Sequence, residues 1–274
     1  MAGFVGVVSV GGRSGSGRSV CERSLARRAS VRVNVSASVE LTELIDVLGD
    51  DRVYKRDEAI AKIVQNNEPA TIPSLIALLG EPKVSLRRAA CQALGKLGEE
   101  AVPAVVQLLE EDELVPVKRA TGVKVLNHVF MQHPEMRETI AQERVDLVYK
   151  HLTSFDPVTK LAASICLGLI ASPGWDKAKG EPIEGNRSVR ELLKEYVRTS
   201  DDIAILPTVI LYLGGCARRL DPDDADEVYR VLEETASRPD LDDIIKEAIL
   251  TELAKKDGKD MPSLQDPPAA AMGS

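Results

Sequence analysis

A chain of 274 residues, 44% hydrophobic and 28% charged, has the profile of a folded protein with a sizeable core. No stretch approaches the roughly 18 uninterrupted apolar residues of a membrane helix, so no membrane span is expected. The four cysteines lack the paired spacing of a disulfide framework or a zinc site, so no metal is expected. Aromatic residues make up only 3% of the chain.

The net charge of −8 conceals an asymmetry. Residues 1–39 hold six arginines (Arg13, Arg18, Arg23, Arg27, Arg28, Arg32) against one acid, Glu22, so the body after residue 39 carries −13. An acidic body is a poor phosphate binder, and no nucleic acid is expected as a partner. Residues 1–38, rich in Ser, Gly, Val and Arg, have the composition of an organelle transit peptide and are expected to be disordered. The run Val31-Arg32-Val33-Asn34-Val35-Ser36-Ala37 resembles a stromal processing site, which implies a chloroplast address in the plastid stroma. A retained tail and a mitochondrial presequence are the competing readings.

From residue 39 to 256 the chain reads as helix after helix. The clearest unit is Ile72-Pro73-Ser74-Leu75-Ile76-Ala77-Leu78-Leu79, a break at Gly80-Glu81-Pro82, then a second helical stretch from Val84 to Gly98. That second stretch carries small residues where helices must approach closely, and a Leu94-Gly95 pair near its end. Arg87 anchors a frame with Glu81 six residues before it and Leu94 seven after. The frame recurs at Asp50/Arg56/Ile63, at Asp112/Lys118/Val125 and at Asp240/Lys246/Leu253; Lys160 and Leu206 keep its later part. Six anchors at 56, 87, 118, 160, 206 and 246 predict six helical hairpins, each burying its apolar face on its neighbours.

These segments resemble HEAT repeats. The fold expected is all-α: a solenoid of about six HEAT-type hairpins forming an armadillo-like superhelix. The Val-x-x-Arg-x-Ala-Ala-x-x-x-Leu-Gly run of Val84–Gly95 is similar to the HEAT subgroup named for phycobilisome lyases. In such proteins an acid closing one helix pairs with the base opening the next. The resemblance thus implies a structural ladder of Asp50 with Arg56, Glu81 with Arg87, and Asp112 with Lys118.

No phosphate loop, His-Glu-x-x-His or Gly-x-Ser-x-Gly motif is present, and no catalytic set is assigned. His128 and His133 stand five apart, off a common helix face, and the three histidines read as solvated or capping. Cys91, Cys166 and Cys216 occupy second helices and read as small core residues.

The insertion Ser172–Asn186 interrupts the units and contains Trp175, the one tryptophan. A loop of this length is functional or disordered. Trp175 is either an interface anchor or a side chain folded back over the solenoid. Tyr212, Arg218 and Arg219 form a basic and aromatic cluster that would face an acidic partner or a bilin propionate, or be a solvated helix end. Residues 257–274 read as a disordered tail.

The expected function is a plastid scaffold or assembly factor that binds a protein partner on its concave face. The subgroup resemblance implies an alternative, a bilin lyase subunit that attaches an open-chain tetrapyrrole to a phycobiliprotein cysteine. In that reading the bilin is a substrate, no resident cofactor is needed, and the partner is a phycobiliprotein or a second HEAT subunit.

Overall fold

The computed structural model describes residues 37–256. Among them run thirteen α-helices and one two-stranded sheet. The helices are α1 (Val39–Val47), α2 (Val53–Asn66), α3 (Thr71–Leu78), α4 (Val84–Leu97), α5 (Val102–Leu109), α6 (Pro116–Gln132), α7 (Met136–Thr139), α8 (Gln142–Lys150), α9 (Pro157–Ala171), α10 (Arg187–Thr199), α11 (Leu206–Ala217), α12 (Pro222–Ala236) and α13 (Asp243–Lys256). Strands β1 (Gly174–Asp176) and β2 (Glu181–Ile183) separate α9 from α10.

Local chemistry sets the boundaries. Ser38, Asp156, Asn186 and Asp221 cap α1, α9, α10 and α12, each side-chain oxygen accepting a first-turn amide. Pro116, Pro157 and Pro222 open α6, α9 and α12, where a missing amide costs nothing. Ser38 also donates to Glu68 at 2.6 Å. It therefore belongs to the folded body, and the boundary expected after residue 38 moves to before it. Residues 1–36 of the proposed transit peptide and the tail at 257–274 lie outside the described residues.

The helices pair as α1/α2, α3/α4, α5/α6, α8/α9, α10/α11 and α12/α13, and the second helices of the pairs contact one another in succession. This is the six-unit solenoid expected, with every anchor residue near the start of a second helix. Seven residues beyond the anchors, Ile63, Leu94, Val125, Leu167 and Leu213 are each at most 1% exposed. Burial of one such side chain stabilises the fold by about 1.5–3 kcal/mol. The wider spacing of the later anchors has visible causes: α7 and its flanks between the third and fourth units, the β-hairpin between the fourth and fifth, and the long α12 in the sixth.

The glycine of the Leu-Gly pair recurs for a steric reason. A methyl on Gly95 would overlap His128, one on Gly168 the Tyr212 ring, and one on Gly214 the Glu252 side chain. Each glycine admits one large side chain from the next second helix.

The ladder differs from expectation in its atoms. Arg56 Nη1 donates to the backbone carbonyls of Asp50 (2.7 Å) and Asp51 (3.0 Å), not to the Asp50 carboxylate. That carboxylate binds Arg52 instead, at 2.9 Å, which holds it well below the usual range. Arg87 donates to the Glu81 and Pro82 carbonyls. In the third unit Arg119, not Lys118, reaches the Asp112 carbonyl, at 3.3 Å. The spacing of six places the guanidinium over the turn, where helix-end carbonyls lack partners and a planar fork can serve two of them. Links between units do exist, but from other residues. Lys83 reaches the Gly49 carbonyl, and Lys160 binds Asp202 of the next unit at 2.6 Å.

Candidate functional site

The insertion is an ordered antiparallel β-hairpin with Gly174 opposite Ile183, Trp175 opposite Pro182 and Asp176 opposite Glu181. Two buried arginines hold it. Arg137 Nε and Nη2 donate to the Phe130 carbonyl at the end of α6 (3.0 and 2.8 Å), and its Nη1 to those of Ser172 and Pro173 (3.2 and 3.4 Å). Arg190 Nη1 donates to the carbonyls of Ala171 (3.1 Å) and Glu184 (2.7 Å). Both cations thus satisfy orphan carbonyls at the C-terminal ends of helices, where positive charge is favoured. Arg137 has no carboxylate partner among the described residues, and burial pulls its pKa down. Gly185, with φ +74°, turns the chain back where a methyl would stand 2.6 Å from the Ser172 backbone.

Over this base lies a cleft of about 590 Å³, within the range of ligand-sized sites. Trp175 and Arg219 share its lining with Lys177, Met131 and Pro134. Trp175 is 54% exposed, which decides its two readings in favour of an open face. Of the lining carboxylates, Asp221 caps α12 and Asp224 binds Arg187 and Arg190.

The other two expected site residues are elsewhere. Arg218 Nη1 binds the buried Glu252 at 2.7 Å, joining the fifth and sixth units, so it is neither a solvated end nor free for a ligand. The Tyr212 ring fills the notch at Gly168, and burial raises its phenol pKa. The cluster read from the sequence therefore splits: Trp175 and Arg219 come together, while Arg218 and Tyr212 are packing residues.

A second feature escaped the sequence reading because it is a property of alternate helices. Helices α4, α6, α9 and α11 carry seven cations (Arg87, Arg88, Lys96, Lys118, Arg119, Lys124, Lys160) and no Asp or Glu at all. The terminal second helices do carry acids, Asp57 and Glu58 in α2 and Asp243, Glu247 and Glu252 in α13, so the acid-free run is confined to the four middle ones; among first helices α12 has six acids against Arg230. Between α4 and α6 a groove of about 300 Å³ is lined by Arg88, Lys124, Val84, Val117 and Val158. Its one carboxylate, Asp156, is engaged by Thr159 through both amide (2.8 Å) and hydroxyl (2.6 Å). Arg88 and Lys124 have no ion-pair partner among the described residues and are exposed. Separating the chain into first and second helices and counting charge in each would have revealed this face.

The thiols lie inside. Cys91, Cys166 and Cys216 are buried, and burial pushes Cys91 up to about 12 and raises the other two. The histidines depart from the solvated reading: His151 is buried, with no partner for Nε2, and His128 packs over Gly95. His133 alone takes a capping position, with Nε2 3.3 Å from the Lys96 carbonyl. Among the described residues, no helix is long and apolar enough to cross a membrane.

The fold and its repeating notches define a HEAT-repeat α-solenoid, and residues 41–127 match the family described as HEAT repeats. Over 169 residues the chain is 32% identical to "uncharacterized phycocyanin operon protein Z" of Pseudanabaena tenuis (strain PCC 7409), covering 61% of this chain and 74% of that protein. The chain belongs to the family of that phycocyanin operon protein. Among solved structures it is similar to the complex of CpcE and CpcF of phycocyanin lyase from Nostoc sp. PCC7120, at 22% identity and a TM-score of 0.49 over 68% of this chain and 99% of that one. It is also similar to a designed armadillo repeat protein, at 14% identity and a TM-score of 0.42 over 78% and 98%.

Proposed function

We propose that this protein is a phycobilisome-associated scaffold or assembly factor of the plastid, which holds an acidic phycobiliprotein surface on its second-helix face. The observation that carries the reading is the acid-free run of α4, α6, α9 and α11 on a body of charge −13. Such segregation sets a positive, partly apolar strip against a background that repels the same partner. It favours one docking face and steers encounter. Arg88 and Lys124 supply uncommitted charge, and the exposed Val84, Val117 and Val158 supply apolar area between them. Membership in the family of a phycocyanin operon protein supports the choice of partner.

Binding is preferred to bilin attachment as the activity. The sequence carries no catalytic motif that would assign a transfer step to named residues. The plastid address rests on the composition of residues 1–38. Import into isolated plastids, compared with and without residues 1–36, tests it; equal import of both forms would refute it.

For the binding itself, purified phycocyanin is titrated into the protein by calorimetry at low and raised salt. Saturable association that weakens steeply with salt is the expected result. Absence of association at low salt, with both proteins folded, refutes the reading.

A further inference from the structure

The Trp175 cleft is a second surface, built on the C-terminal ends of α6 and α9 and the start of α12 rather than on the groove between α4 and α6. Three observations bear on what it takes. First, its floor is fixed: Arg137 and Arg190 tie the β-hairpin to two helix ends through six hydrogen bonds to backbone carbonyls. An indole on such a base is pre-organised, which lowers the ordering cost of binding. Second, the uncommitted charge at the mouth is net positive, two cations against the one acid Glu184. Lys177 and Arg219 are exposed and have no ion-pair partner among the described residues. Asp221 and Asp224 are occupied by backbone amides and arginines, and Glu184 is the remaining acid. The buried Arg137 adds uncompensated charge beneath. Third, the walls between these cations are apolar: Trp175, Met131, Pro134 and Pro182. Cations flanking an apolar trough complement an extended chain with a central apolar side chain and acids on either side.

We infer that the Trp175–Arg219 cleft is a docking site for an acidic extended segment of a partner protein. An apolar residue of that segment seats against the indole, and its flanking carboxylates meet the Arg219 guanidinium and the Lys177 ammonium. Trp175 and Arg219 are of the types that dominate binding energy at interfaces. The site is independent of the second-helix face, so a partner engaged at both would gain from effective concentration.

Trp175 is the one tryptophan of the chain and reports on its own site. The probe is a dye-labelled, end-blocked peptide Asp-Glu-Leu-Asp-Glu, with Lys-Arg-Leu-Lys-Arg as control, titrated against the full-length protein. A saturable change in Trp175 emission with the acidic peptide alone is expected. Anisotropy of the dye should show about tenfold weaker binding to Arg219→Ala, the loss of one charge-assisted contact. Trp175→Leu, read by the same anisotropy, should weaken binding at least as much. The Arg88→Glu/Lys124→Glu variant should bind the peptide as the parent does, which separates this site from the phycobiliprotein face. Equal binding of both peptides, or unchanged affinity in a folded Arg219→Ala protein, overturns the inference. Full displacement of the peptide by an equimolar monocarboxylate such as acetate would also overturn it, since the site would then take a small anion.

Discussion

Arg218 lies 2.7 Å from Glu252, and Glu252 occupies the notch left by Gly214. The guanidinium of the fifth unit is thereby spent on a buried carboxylate of the sixth, while its neighbour Arg219 points into the cleft. Two adjacent arginines thus divide into one half-buried in packing and one exposed at the cleft. Replacing Arg218 by Ala leaves Glu252 buried with only Lys255 beside it, and should cost about 3 kcal/mol, near the lower end for a broken buried pair. Arg219→Ala should change stability by no more than about 0.5 kcal/mol. Urea unfolding of both variants checks the contrast; equal effects would contradict it.

The Gly168–Tyr212 contact makes a steric prediction. Gly168→Val drives two methyls into the Tyr212 ring and should destabilise by about 1–3 kcal/mol or more through overpacking. Adding Tyr212→Ala should recover part of that loss, because the clash goes with the ring. A double-mutant cycle measures this coupling, and simple additivity would show that the two residues do not interact.

Burial holds the pKa of both His128 and His151 below the usual value. A histidine with a lowered folded pKa takes up protons more readily once unfolded. Its contribution is intact above the unfolded pKa of about 6.5 and declines as the pH falls through it. The melting temperature should therefore drop between pH 7.5 and 5.5, before most carboxylates titrate. In a His128→Gln/His151→Gln protein this part of the profile should flatten; a drop of unchanged size would remove the histidines as its cause.

Arg137 is predicted to be the clamp of the β-hairpin. Arg137→Met leaves the carbonyls of Phe130, Ser172 and Pro173 without their donor, and each buried unpaired group costs about 1–3 kcal/mol. The hairpin should detach before the solenoid does. Trypsin should then cleave at Lys177 and Lys179 faster than in the parent, with far-ultraviolet dichroism unchanged. Cleavage at the parental rate would mean that Arg190 alone suffices.

The fold was legible because HEAT packing repeats in the chain itself. The anchors, the buried residue seven positions on and the Leu-Gly notch are all local patterns; the buried position holds in the first five units, while in the sixth Leu253 is only half-buried and the adjacent Glu252 takes the buried place. The ladder was legible in spacing but not in chemistry, since six residues of separation bring Arg56 to the Asp50 carbonyl as readily as to its carboxylate. The candidate cluster was half legible. Trp175 and Arg219 lie 44 residues apart in the sequence and line one cleft, with Arg137 and Arg190, from two further places in the chain, holding the hairpin there. Nothing in the sequence around Arg218 announces Glu252, which is 34 residues away. The cation-bearing face was hidden by the total charge, which sums over two layers of opposite character.

The central claim is that the second-helix face holds the partner. The most direct test is the affinity for purified phycocyanin of the parent and of Arg88→Glu/Lys124→Glu, a pair of exposed substitutions that should leave the melting temperature within a few degrees. The account predicts at least a tenfold weaker Kd and a shallower salt dependence in the variant. Equal affinity and equal salt dependence in a folded variant would contradict it.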